Sequence, residues 1–157
     1  MLGDILPPGS VVVTNEVGAV AYVSRLPVID MIGLTDAVIS RILFRSYQMY
    51  GRGGSRWSVT EVSGYLLSRE PDCLMLPAYQ PLAHGLNPQN RRRMHPLWYQ
   101  IYHDLETSQR YRCLGQFKIN DSKFLYLYVK KDLELAHPWP APGPAGRCLE
   151  VLAESDK

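Results

Sequence analysis

The sequence predicts a three-layer, Rossmann-like α/β domain with a mostly parallel sheet and an antiparallel hairpin at one edge. Three observations lead there. Short apolar runs at residues 11–13, 28–32 and 73–76 are separated by segments of helical period, as in successive βαβ units. Two longer runs, 111–119 and 124–129, flank the polar turn Asn120-Asp121-Ser122-Lys123 and read as a hairpin. Right-handed crossovers between the parallel strands then put helices on both faces of the sheet.

Each element has a local reason. Pro7-Pro8-Gly9-Ser10 cannot continue a helix and delivers the chain stiffly to Val11. Residues 11–13 are β-branched and suit a strand buried on both faces. Asn15 is a good N-cap residue, Glu16 suits a first turn, and Val17, Val20 and Ala21 follow at helical spacing. Pro27 keeps that helix brief, because the residue before a proline favours extended backbone. Residues 28–32 read as a second buried strand closed by Gly33.

Thr35 is placed to cap the next helix, with Asp36 in its first turn and Val38, Ile39, Ile42 and Leu43 as its core stripe. Gly51-Arg52-Gly53-Gly54-Ser55 breaks it. Ser58 and Glu61 have capping-box spacing at the start of another helix, whose buried face is Val62, Tyr65 and Leu66. Pro71 and Asp72 lead into the third strand. Residues 77–96 hold four prolines and little periodicity, a long irregular insertion of a kind that is either functional or disordered. Leu97, Trp98, Ile101, Tyr102 and Leu105 then line one face of a further helix. Beyond Asp132, Pro138, Pro140, Pro142 and Pro144 read as an extended tail. The α/β domain is therefore assigned to residues 1–132 and the tail to 133–157.

Composition narrows the classes of function. A chain of 157 residues, 46% hydrophobic and 20% charged, is one folded domain able to bury a core. Its net charge of +2 is too slight for a nucleic-acid partner, and the run Arg91-Arg92-Arg93 among Asn87, Pro88, Gln89 and Asn90 reads as a solvated loop. Cys73, Cys113 and Cys148 have no CxxC spacing and an odd count, so neither a disulfide framework nor a zinc site is expected. No run approaches the roughly 18 apolar residues of a membrane span, and Met1-Leu2-Gly3-Asp4 lacks the basic start of a signal peptide. The expectation is a soluble chain.

Chemistry is sought at the carboxyl ends of the first two strands, where an open α/β sheet receives its ligands. The first turn, Thr14-Asn15-Glu16-Val17-Gly18-Ala19-Val20, has one glycine where a dinucleotide fingerprint has three, and Glu16 stands where pyrophosphate would approach. No GxxxxGK[ST] or GxSxG pattern occurs, and no cofactor is expected. Asn15, Glu16, Asp30 and Asp36 converge on one edge in this topology, with Tyr22 nearby as an apolar face for a sugar. Two readings stand for the acids. They serve as acid–base or hydroxyl-binding groups, or Glu16 and Asp36 answer helix N-termini while Asp30 fixes a turn. The four histidines, His84, His95, His103 and His137, show no i, i+4 pairing that would suggest a metal site.

The segments Asp4-Ile-Leu-Pro-Pro-Gly-Ser, Asn15-Glu-Val-Gly-Ala-Val-Ala-Tyr-Val-Ser and Pro27-Val-Ile-Asp-Met-Ile-Gly-Leu-Thr-Asp also carry a resemblance. In this order, with Tyr65-Leu-Leu-Ser-Arg-Glu-Pro-Asp after them, they are similar to the carboxyl-terminal domain of multi-spanning, polyprenyl-phosphate-dependent glycosyltransferases. That family includes bacterial arabinofuranosyltransferases of the mycobacterial cell envelope and related mannosyltransferase-like proteins. The likeness covers the first half of the chain, to Leu76. It departs at Asn15, where the pattern has an aspartate, and at 51–57, where the pattern carries histidine and lysine. The resemblance implies an extracytoplasmic, membrane-associated domain that positions a glycan acceptor or braces a transmembrane glycosyltransferase portion. Its reacting carboxylate belongs to a membrane loop outside this chain, so no catalytic residue is expected here. The alternative is a stand-alone small-molecule enzyme using the acidic edge.

Overall fold

Where the chain leaves Ser10, the β-branched run becomes β1 (Val12–Thr14), buried on both faces. It is the middle of three parallel strands, with β2 (Val28–Asp30) on one side and β3 (Cys73–Ala78) on the other. The hairpin of β4 (Tyr111–Asn120) and β5 (Lys123–Lys130) joins β3 through β5, antiparallel, giving one sheet in the order β2-β1-β3-β5-β4. The computed structural model describes residues 2–50, 56–78, 95–120 and 123–137. The glycine-rich break, His84, the arginine run, the centre of the hairpin turn and the proline tail with Cys148 lie outside them.

Alternation along the strands sends side chains to two cores. Val13, Leu74, Leu76, Tyr126 and Phe124 face a layer made by α3 (Ala37–Tyr50), α4 (Arg56–Ser68) and α5 (Pro96–Ser108). Val12, Cys73, Leu127 and Val129 face the opposite layer, which holds α1 (Leu2–Ile5), α2 (Val17–Ser24) and the segment carrying Leu133 and Leu135. The molecule is therefore a three-layer α/β fold. Pro77 is tolerated inside β3 because β1 has already ended at Thr14, opposite Met75, so no ladder partner awaits it there. The last segment stays on the sheet: Leu133 and Leu135 pack into the second core and Ala136 N–H donates to the Ile5 carbonyl at 2.8 Å.

Several boundaries differ from the sequence expectation, each through a polar side chain. The second strand stops at Asp30 rather than at 32, because the Asp30 carboxylate pulls Ile32 and Gly33 into a turn. Glu16, not Asn15, occupies the N-cap of α2, and its side chain makes no capping bond. Asp36, not Thr35, caps α3. Ser58 is no cap at all: it lies inside α4, buried, its hydroxyl bonded to Ser46 at 2.9 Å, while Glu61 pairs with Arg45. Val38, expected in the α3 core, is 42% exposed, and Ile39, Ile42 and Ser46 take the buried face. The α5 stripe is as expected, with all five residues buried.

Candidate functional site at the ends of the parallel strands

Parallel pairing of Thr14 with Asp30 brings the two polar strand ends side by side, as the sequence predicts. The β1 connection leads to α2 on one face and the β2 connection to α3 on the other. In open α/β sheets, divergence of this kind marks the edge at which ligands are received. Thr14 is fully buried, and its Oγ1 accepts the Glu16 N–H at 3.1 Å, turning the chain out of the strand. Asn15 Nδ2 then donates to Glu16 Oε1 at 3.0 Å. That bond orients the amide, and it leaves Asn15 Oδ1 buried with no hydrogen-bond partner. A buried carbonyl oxygen without a protein donor is costly.

Asp30 is in a different state. It is 1% exposed, and its two carboxylate oxygens are occupied by its own loop. Oδ1 accepts the N–H groups of Ile32 and Gly33 at 3.0 and 3.2 Å. Oδ2 accepts Thr35 N–H at 2.6 Å and the Thr35 hydroxyl at 3.2 Å. Asp36 is equally committed. Its Oδ1 caps α3 through Val38 and Ile39 N–H, at 2.9 and 3.0 Å, and its Oδ2 accepts the Tyr65 hydroxyl at 3.2 Å. Partial burial and the neighbouring Asp36 charge raise the Tyr65 phenol above its ordinary pKa.

The five candidate residues are thus divided. Asn15, Glu16, Asp30 and Asp36 share one sheet edge. Tyr22 does not join them: it lies on the solvent face of α2, 86% exposed, six residues and about 9 Å of helix beyond Glu16. Sequence reasoning missed Thr14 and Tyr65. The signal for Thr14 was present, since a threonine ending a β-branched run forms a local turn with its hydroxyl. The Tyr65 contact depends on how α4 packs beside α3, which no local pattern encodes.

One other polar cluster joins α4 to α5. Ser63, fully buried, donates to Asp104 Oδ2 at 2.6 Å, and Asp104 Oδ1 accepts from Gln100 at 2.8 Å, with His103 Nδ1 at 3.3 Å. Nucleophilic serine chemistry places the imidazole between serine and acid. Here the acid holds the serine directly, and the cluster acts as a staple between helices. The described residues contain no group of acids, histidines and cysteines placed to hold a metal ion. No helix among them is long and apolar enough to cross a membrane.

Fold and site define a class: a three-layer α/β domain whose strand-end acids are committed to shaping their own loops. The chain belongs to the family described as a domain of unknown function, DUF8728, whose model matches residues 1–137. No curated protein and no solved structure gave a significant match to it.

Proposed function

We propose that this chain is an accessory domain of a membrane glycosyltransferase, non-catalytic by itself, that positions a glycan acceptor or braces the membrane portion on the extracytoplasmic side. The observation that carries this reading is the commitment of Asp30 and Asp36 to backbone N–H groups and a helix cap. A general acid or base must exchange a proton with substrate, and carboxylates held this way serve as scaffold instead. The ordered resemblance of the first half of the chain supports the same reading. The partly exposed Asn15 amide at the strand ends supports the acceptor role, because an amide group can both donate to and accept from sugar hydroxyls.

The test has two parts. The purified chain is assayed for sugar transfer from a polyprenyl phosphate donor, and no turnover is expected; transfer by the chain alone overturns the proposal. NMR titration with short envelope-type oligosaccharides is expected to shift the amides of residues 14–17. Asn15→Ala removes those shifts without unfolding the protein. Oligosaccharide binding elsewhere on the surface leaves only the bracing role.

A further inference from the structure

The acids of the chain are unevenly spread. Between Asp36 and Glu61, the 24 residues 37–60 contain four arginines and no aspartate or glutamate. The described parts of that stretch are α3 and the first turn of α4, and the outer side of α3 is not a polar solvent face. Val38 is 42% exposed, Phe44 61%, Tyr47 53% and Met49 64%. Residues three and four apart on a helix are neighbours. Val38, Arg41, Phe44 and Tyr47 therefore form one line, and Arg41, Arg45 and Met49 a second line crossing it at Arg41. Arg45 is engaged by Glu61 at 3.1 Å, whereas Arg41 has no carboxylate partner among the described residues.

The position of α3 leaves this side uncovered. Contacts from Asp36 to Tyr65 and from Ser46 to Ser58 show α3 antiparallel to α4, which in turn packs on α5. α3 is thus the outermost helix of its layer, an unbroken rod of about 21 Å. The described cavities lie elsewhere, beside Val23 and beside Lys131. A helix that offers aromatic and thioether side chains around Arg41, its nearest acids spent on the helix cap (Asp36) and on Arg45 (Glu61), suits a surface both negative and penetrable by apolar groups. That describes the headgroup region of an anionic bilayer.

We infer that the outer face of α3 docks on an anionic lipid surface, with Phe44 and Tyr47 entering the interface and Arg41 meeting phosphate. Lipid contact through α3 is independent of the glycosyltransferase reading, and its test contains no glycan.

The full chain is sedimented with vesicles of equimolar phosphatidylcholine and phosphatidylglycerol, and in parallel with phosphatidylcholine alone. Binding to the anionic vesicles, weakened by salt, is the expected result. Arg41→Gln and Phe44→Ser each lower the partition coefficient by about fivefold or more. Tyr22→Ser, on the opposite layer, leaves it unchanged. Equal binding to both vesicles, no binding to either, or variants that bind like the parent would overturn the inference. So would a dimer in solution that Phe44→Ser dissociates, since that result assigns the face to a second copy of the chain.

Discussion

Asp30 concentrates more of the site's architecture than any other side chain. Three backbone N–H groups and one hydroxyl depend on it, and Asp30 itself is 1% exposed. Removing a buried acceptor leaves its donors desolvated and unpaired, so Asp30→Ala is expected to cost roughly 2–4 kcal/mol in urea unfolding. Asp30→Asn recovers only part of this, because an amide NH2 would face Thr35 N–H across the 2.6 Å contact. An unchanged urea midpoint would show that the turn holds without its carboxylate. Tyr111 is one of several buried groups that make stability depend on alkaline pH. Burial, with smaller contributions from neighbouring acids, pushes its hydroxyl up to about 12, and the neutral phenol donates to the Pro71 carbonyl at 3.0 Å. The folded value lies above the ordinary value of about 10, so the folded state holds this proton more tightly. The associated stability is complete below about pH 10 and is lost as pH rises towards 12. Urea midpoints measured from pH 9 upward should fall through that window, and less steeply in Tyr111→Phe.

Among the elements, the β2–α3 connection is the tightest. Gly33 has a φ of +77°, and a Cβ placed there would come within 2.7 Å of Ser40 N. Gly33→Ala combines backbone strain with a collision against the first turns of α3, and a loss of roughly 1–3 kcal/mol or more is expected in thermal unfolding. This connection also marks how far the sequence is legible. The apolar runs of β3 and α5 are bounded by prolines and polar turns, so their identity follows from period alone. The end of β2 and the starts of α2 and α3 are set by Asp30, Thr14 and Asp36 reaching backbone groups two to five residues away. Residue type permits those bonds without choosing among them. The rotation of α3 was hidden for another reason. Val38 and Ile39 fit a core stripe equally well on paper, and the choice between them rests on tertiary packing. The exposed side of α3, and with it the lipid-facing inference, follows from the burial of Ile39 and Ile42 and from the contacts to α4 made by Asp36, Arg45 and Ser46.

For the whole molecule, the sheet needs its final segment. Leu133 and Leu135 cover the second core, and Ala136 ties that segment to α1. A chain ending at Asp132 should therefore be less stable than one ending at His137, by roughly 1 kcal/mol for each of these partly buried leucines. Equal melting temperatures for the two would show that the segment only decorates the sheet. The paired strand ends were legible at this scale too, since parallel neighbours with helices on opposite faces bring Asn15 and Asp30 to one edge. The division of labour between them was not: Asp30 is saturated and Asn15 holds an orphan oxygen, a difference made by buried geometry.

Asp72 joins three remote parts of the chain at the opposite end of the sheet. Its Oδ2 accepts Val11 N–H at 2.9 Å, its N–H donates to the Val11 carbonyl at 2.9 Å, and its Oδ1 takes Lys130 Nζ at 3.1 Å. These partners lie 61 and 58 residues away, so the clamp closes only after long loops have been brought together. The β4–β5 hairpin and α5 involve near neighbours in sequence and can form first. Asp72 is therefore a latch that shuts behind the folding transition state. Its loss should leave the refolding rate nearly unchanged while making the native protein open faster. In stopped-flow measurements, Asp72→Asn should raise the unfolding limb of the chevron and leave the refolding limb in place. The lifetime of the folded domain, more than its speed of formation, is in the keeping of one carboxylate.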